Sequence, residues 1–220
     1  MKFRSVAFDI RGHGKSGPSG KEVTYPLIVE DIKQLMDRLE IKKAFLCGYS
    51  TGGSVVLEFL LTYPERGSGG IVVGGMSEVN ERKLKRKILN GRFLSKIGAV
   101  GFIAFVVSWG QSKKPLLMRS IFKDAKKTNP KNAEQYYEYS LHYNCTEQLG
   151  NIHQPVLLVY GEKDKLFLPY ANLLHERLPK SELVFVENTK HQIPTKAADD
   201  LNGLIQGFIH RYSSMERLST

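Results

Sequence analysis

Short apolar runs alternate with segments of helical period along the first third of the chain. Ser5-Val6-Ala7-Phe8-Asp9-Ile10 is β-branched and aromatic and runs into Arg11-Gly12-His13-Gly14, which predicts a buried strand followed by a turn. From Leu27 to Leu39, Ile28, Ile32, Leu35, Met36 and Leu39 recur at helical spacing. Lys43–Cys47 predicts a second strand closed by Gly48, Ser54–Tyr63 an apolar helix stopped by Pro64, and Gly70–Gly74 a third strand. Near-continuous apolar strands separated by helices imply a parallel sheet covered on both faces. The C-terminal ends of such strands share one edge, where sites collect.

The alternation breaks after Gly75. Glu81–Ile88 is strongly basic, Leu94–Trp109 is an apolar stretch, and Leu116–Lys127 and Ala133–Tyr143 read as helices. Strand and helix return with Pro155–Tyr160, Pro169–Leu178, Leu183–Val186 and a closing helix from about Thr195 to Tyr212. The pattern therefore predicts one α/β domain with an all-helical insertion. We divide it as 1–77 (first part of the core), 78–150 (insertion) and 151–220 (second part of the core).

A 220-residue chain that is 41% hydrophobic and 25% charged buries a sizeable core without staples and is neither fibrous nor disordered. Its two cysteines, Cys47 and Cys145, lie far apart and outside any Cys/His cluster. That argues against a disulfide scaffold or a zinc site and fits a reducing compartment. Met1-Lys2-Phe3-Arg4 opens no basic-then-apolar signal pattern, and the longest apolar stretch, Ile97–Trp109, is too short to cross a bilayer. A cytoplasmic protein without cofactor or metal is expected. The net charge of +10 is uneven: residues 78–150 hold 14 Lys/Arg against 6 Asp/Glu, the remainder 18 against 16. No nucleic-acid-binding pattern accompanies the excess, so no nucleic acid is expected as a partner. Lys83, Lys85, Arg86 and Lys87 read as a solvated face, with anion steering or membrane-surface association as the alternatives.

Gly48-Tyr49-Ser50-Thr51-Gly52-Gly53 falls between a predicted strand and a predicted helix. A sharp turn there strains the middle residue and lifts its side chain clear of the sheet edge, and small residues two before and two after let strand and helix pass closely. The helix N-terminus behind Ser50 suits a developing oxyanion. A serine nucleophile needs a base, and the base an orienting acid. Asp164, after the Pro155–Tyr160 strand, and His191, after Leu183–Val186, emerge on the same edge in the order Ser, Asp, His. Glu78 and Glu162 are rival acids. His13 sits between two glycines and reads as structural, and His142, His153, His175 and His210 read as solvated or packing residues in their helices or loops.

Three stretches together resemble the α/β-hydrolase family: Phe8-Asp9-Ile10-Arg11-Gly12-His13-Gly14-Lys15-Ser16, Glu30-Asp31-Ile32 through Gly53, and Val159-Tyr160-Gly161-Glu162-Lys163-Asp164 with His191. The resemblance implies an α/β-hydrolase-like, mostly parallel sheet flanked by helices. It implies Ser50 as nucleophile, His191 as base, Asp164 as acid and the Thr51 N–H as one oxyanion donor. It also makes the insertion a helical cap, whose apolar Ile97–Val107 either lines an acyl or aromatic pocket or is simply buried. In the family, three strands and a His-Gly loop carrying the second oxyanion donor precede the Asp9–Gly14 turn. None of them is in this chain, so the N-terminal strands are expected to be absent and Ser5–Ile10 to have open edges. Those edges would pair with Lys43–Cys47 or with another chain. The expected activity is hydrolysis of a small-molecule carboxylic ester or related acyl compound, slowed by the missing donor. The alternatives are a non-catalytic small-molecule or partner-binding member, a weakly active fragment, or, within the enzymes, a perhydrolase, thioesterase or C–C hydrolase.

Overall fold

A computed structural model of the chain describes residues 3–112 and 114–218, so Met1 and Lys2 of the signal-pattern reading lie outside the described residues. In chain order the elements are α1 (Tyr25–Arg38), β1 (Ala44–Tyr49), α2 (Thr51–Thr62), β2 (Gly67–Val73), α3 (Arg82–Lys96), α4 (Val100–Gln111), α5 (Pro115–Ala125) and α6 (Pro130–His142). A 3₁₀ turn (Thr146–Asn151), β3 (Val156–Gly161), α7 (Leu168–Arg177), β4 (Ser181–Val186), α8 (Ile193–Lys196) and α9 (Ala198–Leu218) follow. They form two compact units, an α/β unit (Tyr25–Arg86 with Ser140–Thr220) and a helical unit (Met1–Thr24 with Lys87–Tyr139).

The α/β unit is built on a four-stranded parallel sheet in the order β1-β2-β3-β4. Strand alternation divides its core. Ile71 and Val73 of β2 and Leu157 and Val159 of β3 pack with Val186, Ile193, Leu201 and Phe208, which brings α8 and α9 onto one face. On the other face lies α2, whose Leu60 and Val56 fill the space that a side chain at Gly70 would take. Gly67 is needed for this approach, since a Cβ there would come 2.4 Å from Leu60, whereas a Cβ at Gly69 would come 2.8 Å from the Phe45 ring of β1. β2 and β3 are almost wholly buried, whereas β1 and β4 at the sheet edges are half-buried.

In the helical unit the stretch Leu94–Trp109 is not one helix. Gly98 adopts a left-handed φ of 74°, and the N–H groups of Gly98 and Ala99 return to the carbonyls of Ser95 and Leu94, which ends α3 before α4 begins. Earlier in α3, Gly91 lets α6 approach, since a Cβ there would meet the Tyr137 ring at 2.7 Å.

The buried strand predicted over Ser5–Ile10 does not form. Among the described residues it pairs with no strand, Lys43–Cys47 included, and Val6 and Phe8 are 46% and 42% exposed. A β-branched run is a strand only where a neighbouring ladder and a half-buried face receive it, and this one has neither. Side-chain and backbone hydrogen bonds organise the segment instead. Asp9 accepts from the Lys15 N–H (2.9 Å) and the Ser16 hydroxyl (2.6 Å), and the Gly12 carbonyl accepts from the Asn129 N–H (2.7 Å). The Ser19 N–H donates to Asn132 Oδ1 (2.8 Å) at the start of α6.

Candidate active site

Ser50 sits between the end of β1 and the start of α2 with φ 56° and ψ −122°, a region that a residue with a Cβ rarely occupies and that costs about 1–3 kcal/mol. Packing holds it there. The Ser50 N–H donates to the Val73 carbonyl (2.8 Å), and the Ser50 carbonyl accepts from the Gly53 N–H (2.9 Å). A Cβ on Gly48 would lie 2.0 Å from the Gly52 carbonyl oxygen, so strand and helix do pass closely two residues before the serine. Two residues after it the expectation is corrected. A Cβ on Gly52 would meet open space, while one on Gly53 would come within 2.9 Å of Gly75 and Val72. The Gly52 backbone excludes a side chain at Gly48 and not at Gly52 itself; after the serine, the residue whose own side chain is excluded is Gly53.

The sheet brings Asp164 and His191 to the same place. Asp164 follows β3 and is 8% exposed; its Oδ2 lies 2.9 Å from His191 Nδ1. The other ring nitrogen, Nε2, lies 3.1 Å from Ser50 Oγ. Gly161 makes this geometry possible, since a Cβ there would strike the carbonyl oxygens of Thr189 and Lys190 at 2.5 and 2.3 Å. The two loops are tied by the Lys163 N–H to the Thr189 carbonyl (2.9 Å) and the Asn188 N–H to Glu162 Oε2 (2.9 Å).

The clamp on the imidazole is not visible in the sequence. Phe167 stacks on the His191 ring with centroids 4.1 Å apart, and Tyr49 lies 5.1 Å away on a tilted plane. Gly74, at φ 55°, passes so close that a Cβ would meet the ring at 3.0 Å. Below it, the buried Tyr160 hydroxyl donates to the Gly75 carbonyl (2.7 Å). Burial pushes that phenol far above its usual range, so it acts as a neutral strut. Phe167 lies three residues beyond Asp164, but nothing in the sequence marks which of the aromatic residues reaches the histidine.

The rival groups are engaged elsewhere. Glu78 accepts from Asn80 (2.7 Å), Asn144 (3.0 Å) and the Thr146 hydroxyl (2.9 Å). Glu162 belongs to the loop tie just described. His13, in the helical unit, lies 3.0 Å from the Arg11 carbonyl through Nδ1 and edges onto Tyr136, and burial lowers its pKa. His175 lies 2.8 Å from the Ser181 hydroxyl. Thr51 is the first residue of α2, which puts its backbone N–H at the positive end of the helix.

A parallel sheet flanked by helices, with a strained serine at a strand-to-helix elbow on its edge, is the architecture of an α/β-hydrolase. The chain belongs to the family described as serine aminopeptidase, S33, whose model matches residues 1–196. It is similar to carboxylesterase YbfK of Bacillus subtilis (strain 168), 27% identical over 219 residues covering 94% of this chain and 72% of that protein. It is also similar to serine hydrolase BPHL of Homo sapiens, 27% identical over 215 residues covering 94% and 69%. A solved bromoperoxidase from Bacillus anthracis shares the fold at a TM-score of 0.81 and 20% identity, over 92% of this chain and 80% of that one. Family membership makes this a chain of the hydrolase class.

Proposed function

We propose that the protein is a serine hydrolase of carboxylic esters or related acyl compounds, with Ser50, His191 and Asp164 as its catalytic unit. The observation that carries this is the continuous hydrogen-bonded series from Asp164 Oδ2 through His191 to Ser50 Oγ, at 2.9 and 3.1 Å. His191 Nε2 takes the proton of Ser50 as Oγ attacks the acyl carbon, and the carbonyl oxygen becomes an oxyanion. The Thr51 N–H at the start of α2 donates to that oxyanion, where a preorganised dipole is worth most. Collapse breaks the bond to the leaving alkoxide, which receives the proton from His191 and leaves Ser50 acylated. Water then attacks the acyl-enzyme with His191 again as base, releasing the carboxylic acid and restoring the serine. Asp164 holds the Nδ1 proton and the ring orientation throughout, and Phe167 limits rotation of the ring.

Turnover of p-nitrophenyl acetate and butyrate tests this reading. Ser50→Ala and His191→Ala each lower kcat by about 10⁴-fold or more, and the double variant falls little further, because the residues act as one unit. A His191→Ala protein that keeps most of its turnover removes the base from the proposal.

A further inference from the structure

In α4 the usual amphipathic arrangement is turned inside out. Val100, Ala104 and Ser108, four residues apart, form the buried stripe, and all three are small or medium in size. The opposite face carries Phe102, Phe105, Val106 and Trp109 at helical spacing, 51–66% exposed. Phe105 and Trp109 lie side by side, with ring centroids 6.2 Å apart. Ile97, before the helix, and Leu116, at the start of the adjoining α5, are 59% and 82% exposed, so the apolar surface continues past both ends. A patch of this kind marks an interaction surface.

Charge identifies the occupant. Residues 87–127 contain nine Lys/Arg and a single acidic residue, Asp124, for a net +8 out of +10 in the whole chain. None of these charges lies in α4 itself; among the described residues they lie in α3, just before α5, within it and just after it. Among the described residues, Arg92 pairs with Glu138 and Lys127 with Asp124. A second copy of the chain would set +8 against +8. Nucleic acid would leave the aromatic face unused. An anionic bilayer surface uses both features, with apolar side chains below the headgroups and cations at their level. α4 is 12 residues, about 18 Å long, and no helix among the described residues is long and apolar enough to cross a membrane. It has the length of a helix that lies in the interface, with Trp109 near its C-terminal end.

We propose that the outward face of α4, with the basic residues flanking it, seats the protein on membranes rich in anionic phospholipid. Trp109 is the sole tryptophan of the chain, so the unaltered protein reports its own binding. Adding vesicles of phosphatidylcholine and phosphatidylglycerol shifts Trp109 emission to the blue and shields it from acrylamide. Phosphatidylcholine alone does so far more weakly, and raising the salt reverses the effect. In co-sedimentation, Lys114→Glu with Lys123→Glu weakens partitioning by at least about 25-fold. Phe102→Ser with Phe105→Ser and Trp109→Ser weakens it by at least about 100-fold, with the circular dichroism of the folded chain retained. Unshifted emission with anionic vesicles overturns the proposal, as does equal binding to neutral and anionic vesicles. A dimer in light scattering that the serine substitutions dissolve, without vesicle binding, assigns the face to a second copy instead.

Discussion

The two units use apolar sequence in opposite ways. In the α/β unit Ile71, Val72, Val73 and Val156–Tyr160 are all within 1% of complete burial, and the candidate site stands on that packed base. In the helical unit α4 is equally apolar by sequence, yet its largest side chains face outward and its small ones inward. Close packing fixes geometry in the first case. Ser50 is kept in a strained conformation, and His191 is held between Phe167, Tyr49 and Gly74, because neighbouring atoms leave no alternative. In the second case an unburied apolar face leaves surface that, under the proposal above, a membrane covers. An apolar run thus tells how much surface is to be covered, and the fold decides whether the chain itself covers it.

The largest expected effect separates the acid of the packed site from its rival. Asp164→Asn lowers kcat on p-nitrophenyl esters by about 10³–10⁴-fold, because the histidine loses its orienting charge. Glu78→Gln, whose partners are Asn80, Asn144 and Thr146, changes it by no more than about threefold. The reverse ranking would move the acid to Glu78.

A smaller effect tests whether packing sets the loop geometry. Gly161→Ala drives a methyl group into the Thr189 and Lys190 carbonyls, which are backbone atoms that cannot rotate away. Overpacking of this kind costs about 1–3 kcal/mol. In a chain of this size each of those lowers Tm by about 2–4 °C. Turnover falls with it, because Lys190 precedes the base. A Gly161→Ala protein with unchanged Tm and kcat shows that the two loops move apart easily.

A pair of substitutions tests the inverted helix, the outer one changing stability least of all. Ala104→Phe fills the inner stripe, where 1% of the residue is exposed, and destabilises by about 1–3 kcal/mol. Phe105→Ser, on the outer face at 52% exposure, stays within about 0.5 kcal/mol in the absence of membranes. If urea melts rank them the other way, α4 buries its aromatic face in solution.

Much of this arrangement is legible in the sequence, for reasons that can be named residue by residue. β2, β3 and β4 are short apolar runs with turn residues at their ends, and the structure moves none of those ends by more than three positions. Ser50, Asp164 and His191 are each marked by standing just beyond such a run, and strand ends converge in a parallel sheet. Gly53, Gly74, Gly161 and Phe167 are not legible, because their reason is a close approach between elements distant in sequence. Ser5–Ile10 misleads because local β-propensity carries no information about a neighbouring ladder. The facing of α4 is hidden for a different reason: with Ser108 and Gln111 almost its only polar residues, the helix offers no polar contrast from which periodicity can pick an inner side. The end of the chain shows the same limit on a small scale. One helix is expected from about Thr195, and the structure breaks it at Ala197 into α8 and α9.

Labelling with a fluorophosphonate probe measures whether the fold activates Ser50 through His191. Activation requires the proton acceptor at 3.1 Å, so mass spectrometry of the full chain is expected to find one phosphonyl group, on Ser50. The label disappears in Ser50→Ala and slows by at least about 10³-fold in His191→Ala. A wild-type chain that stays unlabelled, or one labelled equally fast without His191, contradicts the account.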